Sequence, residues 1–258
     1  MTIKALAIGI GSGSPDHLTR EAIAALNQVD VFLVADKGTA TQDLIKLRED
    51  LCHELITNDH YRFIELPDPE RGPDRERSAA EYQAGAIAWH DARAQQYAET
   101  IEAEVPDGGT VGFLVWGDPG FYDSTIRVVE SISNRGIDLE LTVIPGISSI
   151  QLLAARHKII LNRVGQPIHL TTGRRLLKEY SPALGDVVVM LDGDLACGSL
   201  VDRFGDLAIY WGAQLGLPDE ALIAGQLNKV IEQIRARRAA VREARGWVMD
   251  TYLLRPPG

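Results

Sequence analysis

Three apolar segments of this chain run directly into glycine-rich turns, and this repeated pattern restricts the folds that it can adopt. They cover residues 8–19, residues 114–122 with the turn Gly-Asp-Pro-Gly, and residues 143–149. Each joins an apolar run, typical of a β-strand, to residues that favour turns. Ligands of open α/β sheets bind beyond the carboxyl ends of the strands. The three turns therefore predict one shared binding crevice.

Alternation of short apolar runs with helical periodicity predicts an α/β fold in the first part of the chain. Residues 3–10 and 31–35 form β-branched runs around a helical pattern at 19–27, which predicts a parallel strand pair with a right-handed crossover. Further strands are predicted at residues 61–66, 110–116 and 139–144, and helices at 41–52, 78–105, 124–133 and after Ile147. This order predicts a doubly wound, mostly parallel sheet.

A second α/β domain with a mixed sheet is predicted after residue 163. The segment 161–167 lacks periodicity and contains glycine and proline, so we place the domain boundary there and expect domains 1–163 and 164–258. Strands are predicted at 168–172, 187–191, 207–211 and 247–253, with one charged helix from 218 to about 244. The arginine-rich run 235–245 on that helix is either an anion-binding surface or, more commonly, a solvated helix face.

Composition and charge exclude several classes of partner. The net charge of -10 argues against nucleic acid, because phosphate binding requires a basic surface. No apolar run approaches the roughly 18 residues of a membrane helix, and the run at 5–10 is too short for a signal peptide. We therefore expect a cytoplasmic protein with no membrane partner. Cys52 and Cys197 lack zinc-type spacing, which predicts two reduced thiols and no metal.

Glycines and one carboxylate carry the chemistry of the first two turns. Gly9 and Gly11 allow a sharp turn and a close approach of the backbone to a ligand. Asp118 is the strongest candidate for a ligand contact, because a carboxylate at a strand end can accept hydrogen bonds from ribose hydroxyls or pair with an ammonium group. Gly117 and Gly120 leave space around it. The alternative is an ordinary tight turn.

In this order and spacing, the three segments resemble the tetrapyrrole (corrin and porphyrin) methylase family over essentially the whole chain. The family's first loop commonly reads Gly-x-Gly-Pro-Gly-x-x-x-x-Leu-Thr; Ser12 stands here in place of the proline, while Leu18 and Thr19 match. The family commonly has a second glycine where this chain has Trp116. The resemblance implies S-adenosylmethionine as methyl donor, a tetrapyrrole substrate, a cofactor cleft between two domains, and a homodimer.

The resemblance also implies a set of cofactor contacts. The first domain is expected to hold the substrate crevice, and the second to complete the cofactor pocket. Four of the implied contacts have structural alternatives: Ser148 and Ser149 can cap a helix, while Met190 and Tyr122 can be core residues. The implied contacts are Gly9, Gly11, Ser12, Gly117, Asp118, Tyr122, Ser148, Ser149, Met190, Ala213 and Leu215.

Segments 35–38, 66–71 and 210–213 are similar to family members that methylate a corrin precursor at C-1 and release an acetyl group as acetate. Deacetylation requires a base or a positioned water. Asp36 and Glu65, at or near strand ends, are the candidates, unless they are turn or surface carboxylates. The predicted partners of the substrate's carboxylates are Lys37, Arg62, Arg71 and Arg75, although interleaved acids also fit a solvated loop.

The sequence is also compatible with three other functions. The chain could be another methylase of the corrin ring, or a related enzyme that acts on a protein or on ribosomal RNA, such as a diphthine synthase or an rRNA methyltransferase. It could also bind a nucleotide without catalysis.

Overall fold

The structure is a computed structural model that describes residues 2–36, 38, 42–69 and 79–257, without the side chains of residues 79, 80, 82 and 83. Its contacts divide the chain into two compact units, Met1–Ile147 and Ser148–Gly258. The division precedes helix α5 (Ser149–His157) and does not fall at residue 163, where the sequence predicted it, because α5 packs against strands of the second unit. The roles predicted for the two domains remain predictions.

The first unit is built on a sheet of five parallel strands. These are β1 (Ile3–Gly9), β2 (Val31–Asp36), β3 (Arg62–Pro67), β4 (Thr110–Val115) and β5 (Leu139–Ile144). Their order in the sheet is β3-β2-β4-β1-β5, so the predicted parallel sheet is confirmed. The expected pairing of β1 with β2 is wrong, because β4 lies between them. The buried strand β1 instead has a hydrogen-bonded neighbour on each side, β4 and β5.

Helices cover both faces of this sheet, as a doubly wound arrangement requires. They are α1 (Arg20–Leu26), α2 (Gln42–Leu55), α3 (Ala79–Glu104) and α4 (Thr125–Ser133). Successive residues of β1 point to opposite faces. Ala5 belongs to the core formed with α3 and α4, whereas Leu6 and Ile8 belong to the core formed with α1 and α2.

The second unit contains a mixed sheet, also as predicted. Its strands are β6 (Ile168–Thr172), β7 (Asp186–Met190), β8 (Ala208–Ala213), β9 (Ala221–Gln226) and β10 (Asp250–Arg255), in the order β6-β7-β10-β8-β9. Strands β6 and β7 are parallel, and the other neighbours are antiparallel. With α5, its helices are α6 (Gly173–Glu179), α7 (Val201–Phe204) and α8 (Leu227–Arg245). No helix in the described ranges is both long enough and apolar enough to cross a membrane.

The helix predicted from residue 218 to about 244 is wrong over its first part. Residues 221–226 form strand β9, and α8 begins only at Leu227. Buried Ala221 and Ile223 alternate there with exposed Leu222 and Ala224, which is the period of a strand with one covered face. All six residues of β9 pair with β8, so the tertiary pairing decides the conformation of this short segment.

The arginines of α8 are more than a solvated face. Arg238 is buried, and its guanidinium donates to the Asp250 carboxylate at 2.9 Å and to the Asp192 carbonyl at 2.5 Å. Arg245 forms two hydrogen bonds of 2.7 Å with Asp219. These contacts hold α8 within the second unit, so they favour a structural role for both residues.

Cys52 and Cys197 are free and buried, and burial raises the pKa of each thiol to about 12. Because the thiolate is the reactive form, we expect neither thiol to react with Ellman's reagent in the folded protein at mildly alkaline pH. Both should react after unfolding in guanidinium chloride, as measured by the absorbance of the released thionitrobenzoate. Rapid stoichiometric reaction of the native protein would contradict this placement.

Candidate active site

The three glycine turns predicted from the sequence meet at the carboxyl edge of the first unit's sheet. Gly117 N–H donates to the Gly11 carbonyl at 2.7 Å, and Gly11 N–H donates to the Gly117 carbonyl at 3.3 Å. Gly146, which follows β5, donates its N–H to Asp118 Oδ2 at 2.9 Å. The turns after β1, β4 and β5 therefore form one cluster.

Glycine is required in this cluster because the turns touch through their backbones. A Cβ added to Gly9 would lie 2.6 Å from the Gly146 nitrogen and 2.9 Å from the Gly117 oxygen. A Cβ added to Gly146 would overlap the Gly117 oxygen and lie 2.8 Å from the carbonyl carbon of Gly9. A side chain at either position would separate the turns. The close approach that the sequence suggested for a ligand is thus, in the first place, an approach between backbones.

Asp118 joins the turn after β4 to the turn after β5. Its Oδ1 accepts from Gly120 N–H at 2.8 Å within its own turn, and its Oδ2 accepts the bond from Gly146 across 28 residues of sequence. The side chain is half-buried. A carboxylate offers about four lone-pair positions, so each oxygen can still accept a bond from a ligand hydroxyl or ammonium group. Asp118 can therefore hold the two turns together and orient a ligand at the same time.

Tyr122 ends the same turn in an uncommon conformation. Its φ of 54° lies in the left-handed region, and its residue surface is 44% exposed. The core interpretation of Tyr122 therefore does not hold. A bulky residue with positive φ is strained, and such strain concentrates at ligand-binding turns. These two features favour a ligand contact for Tyr122.

Asp36 lies at the carboxyl edge of the sheet, as the sequence predicted. It is the last residue of β2, and β2 is next to β4 in the sheet. Its Oδ1 accepts a hydrogen bond of 2.8 Å from Gly38 N–H, and the residue is half-buried. Since parallel strands end at the same edge, Asp36 and Asp118 lie on the same side of the sheet. This position is compatible with the predicted role of Asp36 as a base.

Glu65 lies elsewhere. It is an exposed residue of the edge strand β3, and β2 separates β3 from β4. The side chain lines a groove against α2 together with Lys46, Glu49 and Asp50. Acidic neighbours in an open groove fit the surface alternative given above for Glu65, so we leave it out of the proposed site.

The predicted substrate cations divide into two groups. Arg62 is the first residue of β3 and therefore lies at the amino edge, opposite Asp36 and Asp118. Its guanidinium forms an ion pair with Glu104 at 2.8 Å. The structure gives no support to Arg62 as a substrate ligand. Lys37, Arg71 and Arg75 lie outside the described residues, and their role remains a prediction.

In the second unit, Ser148 is the N-cap of α5, and Ser149 is the first residue of that helix. The Ser148 side chain is buried; its backbone N–H and its hydroxyl donate to Gln151 Oε1 at 2.7 and 2.9 Å. The capping interpretation of Ser148 is therefore confirmed. A cofactor contact by either serine remains a prediction.

Strand β7 ends at Met190, which is half-buried. The next residue, Leu191, has a φ of 51° and is 65% exposed. An exposed apolar side chain on a strained backbone is unusual away from a binding site. Leu191 was not identified from the sequence, because the apolar run 187–191 is typical of a buried strand.

The turn after β8 contains a further residue that the sequence did not reveal. Ala213 and Leu215 are buried, and Gln214 between them is 1% exposed with a φ of 52°. Gln214 Oε1 accepts from Met249 N–H at 2.9 Å, whereas its Nε2 donor is buried with no hydrogen-bond partner in the described part of the chain. Buried donors are normally paired, so this amide marks the turn with the predicted cofactor contacts Ala213 and Leu215 as a place where an acceptor fits.

These features, two α/β units and glycine turns that meet beside a carboxylate, are those of a known group of methyltransferases. The chain belongs to the tetrapyrrole (corrin/porphyrin) methylases, whose sequence profile matches residues 4–231. It is 43% identical over 253 residues to a precorrin-6A synthase (deacetylating) of a Sinorhizobium species, covering 98% of this chain and 95% of that protein. The resemblance inferred from the three turns is thereby confirmed.

Solved structures show the same fold. A cobalamin synthesis-related protein (CobF) from Corynebacterium diphtheriae superposes with a TM-score of 0.83 at 34% identity, covering 99% of both chains. A uroporphyrin-III C-methyltransferase from Thermus thermophilus gives a TM-score of 0.62 at 18% identity, over 98% of this chain and 92% of that one. The second likeness shows the fold alone.

Proposed function

We propose that this protein is an S-adenosylmethionine-dependent methyltransferase of corrin synthesis that methylates precorrin-5 at C-1 and releases acetate to give precorrin-6A. The observation that carries the proposal is the 43% identity to a deacetylating precorrin-6A synthase over nearly the whole length of both chains. The arrangement of Asp118 and the glycine turns supports it, because it provides an acceptor and side-chain-free backbone where family members are expected to bind the methyl donor.

Asp118, the backbones of Gly11 and Gly117, and the ring of Tyr122 are the first unit's proposed cofactor contacts. They fit S-adenosylmethionine because a half-exposed carboxylate can accept from its hydroxyls or pair with its ammonium group. The bound cofactor supplies a methyl group already activated on a sulfonium. Gly9, Ser12, Ser148, Ser149, Met190, Ala213 and Leu215 are proposed contacts on the resemblance, and the unpaired amide of Gln214 adds a donor to this set.

The chain's own residues then have two tasks. Holding the methyl donor and the ring carbon in line requires rigid positioning, which the backbone contacts of the glycine cluster provide. Loss of the acetyl group requires a base that accepts a proton from water, and we propose the Asp36 carboxylate for that role. Lys37, Arg71 and Arg75 are proposed to pair with the carboxylates of the ring.

Replacing Asp118 by alanine should weaken the binding of S-adenosylhomocysteine by about 10- to 100-fold, the range of a lost charge-assisted hydrogen bond. The affinity is measured by titration calorimetry on the folded variant. Asp59→Ala is the matched control, because Asp59 is almost fully exposed and pairs only loosely with His60, whose Nε2 lies 3.7 Å from Asp59 Oδ1. Wild-type affinity in Asp118→Ala would remove Asp118 from the cofactor site.

The proposed substrate is tested by a panel of tetrapyrroles. The protein is incubated with S-adenosylmethionine and, separately, with precorrin-5, earlier precorrins and uroporphyrinogen III, and the products are analysed by mass spectrometry. Precorrin-5 should gain one methyl group and lose one acetyl group, while the others remain unchanged. Methylation of another ring without loss of acetyl would assign the chain to a different member of the family.

We also propose that the protein acts in the cytoplasm as a homodimer, as the family resemblance implies. Light scattering coupled to size exclusion should give twice the chain mass; a monomer at micromolar concentration would contradict the dimer.

A further inference from the structure

The sheet of the first unit is open between β2 and β4 at its carboxyl edge. These strands pair only through Val31 with Val111 and Phe32 with Gly112. Beyond that point β2 continues to pair with β3, and β4 with β1, but not with each other. In the described part of the chain, the backbone of β4 therefore has no strand partner on one side over its last residues, and the carbonyl of Leu114 accepts instead from Arg48 Nε at 3.4 Å.

Arg48 reaches this opening from α2 without a carboxylate in contact with its guanidinium among the described residues. Its Nη1 donates to the Leu44 carbonyl at 3.1 Å, and its guanidinium carbon lies 5.0 Å from the ring centroid of Trp116. No carboxylate among the described residues forms an ion pair with it. Burial lowers the pKa of Arg48 to about 10, so the group stays protonated at neutral pH. Asp123 interacts with Arg48 electrostatically but does not pair with it, and a poorly hydrated cation without a counter-ion in contact is costly.

Two further donors are close to this cation. The indole Nε1 of Trp116 is buried and has no hydrogen-bond partner within the described ranges. Tyr97 comes from α3 on the opposite face of the sheet, and Arg48 and Tyr97 interact electrostatically across the opening. The Tyr97 ring stacks on Phe113 at 5.7 Å, and no hydrogen bond of its hydroxyl is found in the described structure. Donors from α2, from α3 and from the turn after β4 thus lie near one another, and within the described residues no anionic acceptor is in contact with them.

We propose that Arg48, Trp116 and Tyr97 form a subsite for a carboxylate of the reacting molecule. A bound carboxylate would be a counter-ion for Arg48 and a hydrogen-bond acceptor for the Trp116 N–H and the Tyr97 hydroxyl. A water molecule carries no charge and could not neutralise Arg48. The inference rests on the proposed function, in which the carboxylate is either a peripheral group of the ring or the acetate that is released. Since β2 ends at Asp36, this subsite lies at the same edge as the proposed base.

The subsite is tested first without turnover, with sodium acetate as the probe. In protein labelled with nitrogen-15 at tryptophan, the Nε1–H signal of Trp116 is identified by its absence from Trp116→Phe. We expect acetate to shift this signal in the wild type and in the control Arg135→Met, which removes a half-buried arginine paired with Asp91 on the α3–α4 surface. The shift should be lost in Arg48→Met. No shift in the wild type, or an equal shift in Arg48→Met, overturns the proposal.

Turnover then distinguishes the two sources of the carboxylate. If the carboxylate belongs to the ring, Arg48→Met should raise the KM for precorrin-5 about 10- to 100-fold. The variant should still release one acetate for each methyl group transferred. If it is the released acetate, KM should hold while kcat falls and product inhibition by acetate disappears. Unchanged kcat, KM and acetate inhibition would contradict the subsite. Should the wild type not turn over precorrin-5, the proposed function fails, while the acetate titration still tests the subsite.

Two controls separate binding from a merely structural role of Arg48. Thermal unfolding and S-adenosylhomocysteine affinity should be close to wild type in Arg48→Met. Where that variant fails to fold, Trp116→Phe replaces it, because phenylalanine keeps an aromatic ring under the guanidinium and removes only the N–H donor. Trp116→Phe should weaken inhibition by acetate, or raise the KM for precorrin-5, by roughly 5-fold. Wild-type values for both in this variant would contradict the proposal.

Discussion

Replacing Gly146 by alanine is expected to abolish binding of S-adenosylhomocysteine and to lower the free energy of unfolding by about 3 kcal/mol. The added Cβ would overlap the carbonyl oxygen of Gly117 and lie 2.8 Å from two backbone atoms of Gly9. Backbone atoms cannot rotate away as a flexible side chain can, so the turns must separate. Separation also breaks the hydrogen bond from Gly146 to Asp118 and moves the proposed cofactor carboxylate.

Denaturant unfolding and titration calorimetry measure the two effects of Gly146→Ala. Gly193→Ala is the matched control, because the same added Cβ would meet no atom within 4 Å there. The control should bind the ligand normally and unfold within about 0.5 kcal/mol of the wild type. Normal binding by Gly146→Ala would show that the three turns need not touch for the cofactor to bind.

Replacing Asp36 by asparagine is expected to lower kcat for acetate release by about 100-fold or more, the contribution typical of a general base. The amide oxygen can still accept the hydrogen bond from Gly38 N–H, so the local turn should persist. Because Asp36 lies at the end of β2 and not in the glycine cluster, affinity for S-adenosylhomocysteine should be unchanged. Acetate is measured by an enzyme-coupled assay, and methyl transfer by mass spectrometry.

Asp59→Asn serves as the control for Asp36→Asn, since it makes the same chemical change at an exposed carboxylate. Loss of cofactor affinity in Asp36→Asn would assign Asp36 to the cofactor. Wild-type rates of both methylation and acetate release would remove it from the chemistry.

Local turn chemistry explains why the sequence identified the centre of the candidate site. Gly117, Asp118 and Gly120 favour a turn through their own conformational preferences, and apolar β-branched strands precede each of the three turns. The edge at which parallel strands end follows from their direction, so the location of all three turns at one edge of the sheet was also predictable. The contact between Asp118 and Gly146 was not, because no local pattern records which turns become neighbours in space.

The predictions that rested only on proximity to a strand end received less support from the structure. Arg62 and Glu65 lie on β3, but Arg62 begins that strand and Glu65 faces a groove against α2. Arg62 lies at the amino edge of the sheet, away from the glycine turns. The predicted strand 61–66 already implied this, because Arg62 is near its first residue. Glu65 lies away from the glycine turns because β3 is an edge strand. The order of strands in a sheet cannot be read from the periodicity of one sequence.

Arg48 and Gln214 show the remaining limit of sequence reasoning. An arginine on an amphipathic helix is typical of a solvated face, and a glutamine in a turn is unexceptional. Their importance comes from tertiary features, namely the opening between β2 and β4 and the burial of the turn after β8. Both became candidates only because a donor or a cation lacks a suitable partner.

The proposed function is tested most directly by following both products of one reaction. The protein is incubated with precorrin-5 and S-adenosylmethionine labelled with carbon-13 in the methyl group, and carbon-13 and proton NMR follow the ring-bound methyl and free acetate together. The proposal predicts that both appear at the same rate and in equal amounts, with the labelled methyl group attached to ring carbon C-1. Methyl transfer without acetate, label at another carbon, or no transfer would contradict it.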